Sequence, residues 1–162
     1  MDQTHIHLLI THLPIFGSIL GALVLIQGLW TKSNHTIIAA YTLFLCSSAG
    51  TAIAYLTGEG AEETVENIQG IAENAVEQHE DFAVIALVSF IILGLASIAG
   101  LLAEYKKSTW SRKLAWGILL VSLVSFALAA RTGYLGGKIR HTEINATSLP
   151  AQQEGGETGE DE

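Results

Sequence analysis

The residues best suited to chemistry in this chain are histidines. Five of the six, His5, His7, His12, His79 and His141, are expected at one end of a bundle of membrane helices, with His35 at the other. Imidazole near hydrocarbon is costly, so a cluster of it usually handles a ligand, a proton or a metal. His5 and His12 are seven residues apart and share a helix face, whereas His7 projects roughly 140° from His12. His12 is expected deepest, more than a turn inside the boundary. Pro14 has no N–H to return to Ile10, which leaves that carbonyl available beside His12. His79 introduces the third apolar segment and is followed by Glu80 and Asp81. His141 follows the fourth segment, and Glu59 and Glu63 lie just past the second. Three or four chain segments thus bring imidazole and carboxylate to one level.

Two uses of such a cluster make physical sense. One is b-type haem, whose iron takes two neutral imidazoles from facing helices in a low-dielectric bundle. His12 and His79 are the first pair expected for that role, with His7 and His141 as the alternative or second pair. Arg131, Lys138 and Arg140 lie at the same level to neutralise propionates, and Glu59 or Glu80 to orient a ligand imidazole. The other use is a non-haem transition-metal site, in which His7, His12, His79 or His141 is joined by Glu59, Glu63 or Glu80. Mixed imidazole and carboxylate ligation suits zinc, iron, manganese or copper. A plainer reading stands beside both. His5 and His7 lie near the interface, where histidine is common, His35 is solvated in a hairpin, and Arg131 snorkels or pairs with a loop glutamate.

The elements that must position these residues are four apolar stretches of membrane-spanning length, residues 8–30, 36–56, 82–103 and 114–135. The chain is 49% hydrophobic and only 15% charged, rich for a soluble protein of its size. None of the four stretches contains an acid, only the last contains a full positive charge (Arg131), and all are apolar around the whole helix. The fold class expected is all-α: a four-transmembrane-helix bundle over residues 1–144, followed by an acidic disordered tail, 145–162. The start of the chain lacks a positive n-region and a small-residue cleavage site, so the first stretch reads as a retained helix.

Lys32, Lys106, Lys107, Arg112 and Lys113 fall on the two hairpins of one side, with Trp30, Trp110 and Trp116 at that boundary. Lys138 and Arg140 oppose them at the other side, where Tyr55 and Tyr134 mark the boundary. Five against two places the hairpins in the cytoplasm and both termini outside. Residues 57–81 repeat Val65, Ile68, Ala72 and Val76 among glutamates, which predicts a short amphipathic outer helix broken near Gly70. Its acidic face argues against binding nucleic acid. Gly17, Gly21, Ser47, Ser48, Gly50, Thr51, Gly94, Ser97 and Gly100 are packing residues that let helices approach. Cys46, alone, reads as another. No phosphate loop, nucleophile elbow or paired-cysteine motif is present.

The run His7-Leu-Leu-Ile-Thr-His12-Leu-Pro14-Ile resembles the HPxxxHxP opening of the bacterial family known as domain of unknown function 2231. The Leu56-Thr57-Gly58-Glu59 exit of the second segment, the His79 entry to the third and the Gly136-Gly137 exit of the fourth resemble it too. The likeness covers about residues 5–143. Leu8 stands where the family has proline, and the short Lys138-Ile139-Arg140-His141 replaces a longer Leu-Val-Tyr ending. The resemblance implies a four-helix membrane module whose relatives are joined to c-type cytochrome modules. The expectation is therefore a small bacterial inner-membrane protein that holds b-type haem and exchanges electrons with a membrane or periplasmic partner. A non-haem metal-binding protein and a structural accessory subunit of a larger complex are the rivals. No independent catalytic activity is expected, although a bound haem would let the protein serve as a subunit of a membrane redox complex or oxidoreductase assembly.

Overall fold

The computed structural model describes the backbone of residues 3–66 and 73–147 and the side chains of residues 7–58 and 76–138. It has five helices: α1 (Gln3–Ile10), α2 (His12–Thr31), α3 (Asn34–Glu66), α4 (Glu73–Tyr105) and α5 (Ser111–Thr147). Four segments are long and apolar enough to cross a membrane: His7–Thr31, Asn34–Gly58, Val76–Tyr105 and Ser111–Lys138. They reproduce the four stretches read from the sequence. The chain is a multi-pass membrane protein.

The first span is interrupted at Thr11, three residues before Pro14, where the i→i−4 ladder loses a donor. The Thr11 N–H still bonds His7 O at 2.9 Å, so α1 runs into α2. The first hairpin closes tightly. Lys32 adopts a left-handed conformation (φ 57°), and the Ser33 N–H returns to Gly28 O at 3.0 Å. The Ser33 hydroxyl then caps α3 by accepting the Thr36 N–H at 3.3 Å. The second hairpin repeats the device with Lys107 (φ 50°) and Ser108 N to Ala103 O at 2.9 Å. Two short hairpins force antiparallel neighbours. α2 packs on α3, α3 on α4, α4 on α5 and α5 back on α2, with α1 against α3.

The seams are made of small residues, as the sequence predicts. A Cβ at Gly17 would strike the Ser47 hydroxyl, and one at Gly21 would lie 2.5 Å from the Phe44 ring. Backbone closeness of this kind replaces the hydrophobic drive that lipid removes. Ser48 Oγ bonds Phe90 O at 2.8 Å, tying α3 to α4, and Ser125 Oγ bonds Ser89 O at 3.3 Å, tying α5 to α4. Between the seams lie the buried side chains Leu25, Ile37, Tyr41, Phe44, Phe90, Leu93 and Ile118. Outside, Leu20, Leu23, Ile91, Leu95, Leu102, Leu120 and Val124 are exposed along the spans. That apolar exterior suits acyl chains. Trp30, 82% exposed, and Trp110 sit at the hairpin end, while Tyr55 and Tyr134 are exposed toward the other.

Each of α3 and α4 has 33 residues and α5 has 37, longer than a bilayer core requires. The excess projects at the histidine end. Residues 57–66 and 73–81, expected to contribute to a separate amphipathic helix, continue α3 and precede the apolar part of α4 as unbroken helix. Alanine and glutamate are good helix formers, and they carry α3 on past Gly58 and Gly60, each of which costs a helix only about 1 kcal/mol. Residues 67–72, with Gly70, lie outside the described residues. α5 likewise runs to Thr147, slightly past the expected start of the acidic tail; residues 148–162 are not described.

Candidate functional site

His7 and His79 occupy matching positions in the two halves of the bundle. His7, on α1, is half-buried, and its Nδ1 donates to Ala54 O on α3 at 2.8 Å, with Thr57 Oγ1 at 3.4 Å. His79, on α4, is half-buried, and its Nδ1 donates to Thr132 O on α5 at 3.0 Å. A carbonyl oxygen only accepts, so each contact places a ring proton on Nδ1. Each imidazole also meets a glycine of the partner helix. A Cβ at Gly58 would lie 3.6 Å from His7 Cε1, and one at Gly136 only 3.1 Å from His79 Cε1. The glycine at the exit of each even-numbered span therefore accommodates the histidine packed against it.

His12 is placed differently. It is exposed, its Nδ1 bonds Leu8 O of the preceding turn at 3.1 Å, and its ring lies nearly parallel to Phe16 with centroids 6.4 Å apart. His12 is thus turned away from the bundle interior. The reason is rotational: α2 turns Pro14, Gly17, Ser18 and Gly21 inward, and nine residues from Gly21 put His12 on the opposite side. His7, fourteen residues from Gly21, returns to within roughly 40° of the inward face.

Arg131 is exposed on α5, its guanidinium 5.4 Å from the Phe82 ring centre and 5.7 Å from that of Tyr134. Lys138 Nζ lies 5.0 Å from the Tyr134 ring centre. These cations sit on aromatic faces at the histidine end, beside the carbonyl that receives His79. Glu80 is exposed. The side chains of His5, Glu59, Glu63, Arg140 and His141 lie outside the described ones. Among the described residues no group of three or more His, Cys, Asp or Glu side chains gathers to hold a metal ion. Imidazole is also the donor that b-type haem takes. An axial imidazole needs Nε2 directed by a hydrogen bond at Nδ1, which His7 and His79 both have.

A family described as a predicted membrane protein, DUF2231, matches residues 3–143. The chain belongs to the DUF2231 family. The DUF2231 match runs from the first turn of α1 into the last turns of α5, taking in all six histidines and leaving out the acidic end. No curated protein and no solved structure matches the chain.

Sequence reasoning missed one polar site. Glu104 stands one residue past the apolar run that ends at Ala103, and it is buried at 5% exposure. The available signal was spacing: Ser97, Gly100 and Glu104 recur at i, i+3 and i+7, so the acid lies on the small-residue packing face. An apolar groove of about 280 Å³ between α4 and α5, lined by Ser89, Ile92, Leu120, Val121, Val124 and Ser125, lies at mid-span and away from the histidines.

Proposed function

We propose that this protein is a small membrane redox module that binds b-type haem through imidazole at its histidine end and exchanges electrons with a membrane or periplasmic partner. The observation that supports the reading is the matched anchoring of His7 and His79, each with Nδ1 held by a carbonyl of the next helix. His7 and His79 would hold the haem iron, and His12 and His141 are secondary candidates. Bound there, haem supplies a one-electron couple in a low-dielectric site. The chain's own contribution is to hold the two rings in one tautomer and orientation, to exclude water with the apolar seams below them, and to offer Arg131 and Lys138, with Arg140, to carboxylates. The hairpin cations and tryptophans support a bacterial inner-membrane orientation with the hairpins cytoplasmic and both termini outside.

A second reading has its own observation. The same hydrogen bonds pin α1 to α3 and α4 to α5, so the histidines also suit a purely structural accessory subunit. Absorption spectra of the detergent-purified protein, oxidised and dithionite-reduced, with metal analysis on the same sample, separate the readings. A Soret band with sharp reduced α and β bands is the expected result. A colourless protein from haem-sufficient cells rejects haem; stoichiometric metal in it points to a non-haem site, and its absence to the accessory role.

A further inference from the structure

The end of the bundle remote from His7 and His79 contains an unsatisfied polar pair. Glu104 is the one buried acidic or basic side chain among the described residues. Its Oε1 has no hydrogen-bond partner, and neither does the hydroxyl of Tyr41, which is 0% exposed. These two atoms are the only buried orphans among the described side chains, and they belong to one place. The Tyr41 ring, from α3, packs against Gly100 of α4, so that a Cβ there would come within 2.7 Å of it. Glu104 follows Gly100 by one turn, and its charge and that of Arg112 both act on the phenol. By contrast, the buried hydroxyls of Ser18, Ser47, Thr51, Ser97, Ser122 and Ser125 all bond backbone carbonyls. The core satisfies its polar groups everywhere else.

Arg112 does not resolve the pair, since its Nη1 points to Leu29 O of α2, at 3.4 Å. The remaining charged or titratable groups of this end are exposed: Lys32 after α2, His35 on α3, Tyr105, Lys106 and Lys107 at and beyond the end of α4, and Lys113 on α5. Lys113 is turned over the Trp110 ring, 4.6 Å from its centre. An unpaired carboxylate in such a place is expensive, and a bound proton neutralises it. A metal cation would need several oxygens and would meet the standing charge of Arg112. A proton needs one oxygen. Glu104 is one residue from the end of α4, which places it within reach of water at the boundary.

We propose that Glu104 is an intramembrane proton-binding site at the hairpin end of the bundle, beside the Tyr41 phenol, exchanging its proton with the adjacent aqueous side. The proposal does not rest on haem, and the two stand or fall separately.

The test is modification of the full chain in liposomes by dicyclohexylcarbodiimide, read by peptide mass spectrometry across a pH series. The reagent partitions into bilayers and takes the proton of a neutral carboxyl onto nitrogen. The carboxylate oxygen then adds to its central carbon, and an oxygen-to-nitrogen acyl shift leaves a stable N-acylurea, so the peptide gains one whole reagent. The expected result is an adduct at Glu104 that is lost as the pH rises, with Tyr41→Phe shifting the pH of that loss. No adduct at Glu104 at any pH, while a water-soluble carbodiimide modifies exposed Glu80 in the same preparation, overturns the proposal. An adduct insensitive to pH overturns the exchange, and an unchanged profile in Tyr41→Phe removes Tyr41 from the site.

Discussion

At the scale of single residues, the decisive feature is a hydrogen bond from an imidazole Nδ1 to a carbonyl of the neighbouring helix, made once by His7 and once by His79. Gly136 makes the second possible, and its space is tighter than that at Gly58. Gly136→Ala is therefore expected to displace the His79 ring and destabilise the protein by about 1–3 kcal/mol, measured by thermal unfolding in detergent. Gly58→Ala, with ordinary contact distance available, is expected to change stability far less. The sequence placed His7, His12 and His79 near the same ends of their spans, but depth and spacing alone did not say which face each takes. Gly17 and Gly21 already defined the inward face of the first span, and rotation from Gly21 favours His7 over His12. Depth in the membrane drew attention to His12 instead. Glu104 went unread for a related reason: an apolar run ends where its first acid appears, whether or not the fold buries that acid.

At the scale of elements, the molecule is held by small-residue seams, and these were read correctly because glycine and serine at helical spacing have few other uses in a span. Gly21→Leu would drive a side chain into the Phe44 ring. The expected loss is about 1–3 kcal/mol or more, seen as a lowered midpoint in detergent-titrated unfolding. Ser48→Ala removes the α3–α4 bond to Phe90 O and is expected to lower stability by only about 0.6 kcal/mol, the usual worth of such a bond in a membrane bundle. A loss of several kcal/mol there would mean that the seam depends on polar contacts more than on close packing. The helix ends were less legible than the spans. A stretch of alanine and glutamate beyond Leu56 has helical periodicity whether it forms its own helix or prolongs α3. Gly58 and Gly60 read as a break between the two, and α3 runs through both.

At the scale of the whole molecule, the architecture is a ring of four spans with opposite polar ends: imidazoles and projecting acidic helices at one, lysine-closed hairpins with a buried Glu104–Tyr41 pair at the other. That asymmetry sets the expected orientation. In a Cys46→Ala background, Lys106→Cys is expected to resist impermeant thiol reagents in intact cells and to react once the membrane is opened; ready labelling of intact cells inverts the topology. The redox reading depends on which imidazoles reach the iron. The most direct test is the dithionite-reduced absorption spectrum of His7→Ala, His79→Ala and His12→Ala, each purified beside the parent protein. Loss or collapse of the α and β bands in His7→Ala and His79→Ala, with the bands intact in His12→Ala, is the predicted outcome. A parent protein without haem bands, or variants of His7 and His79 that keep them unchanged, would contradict it.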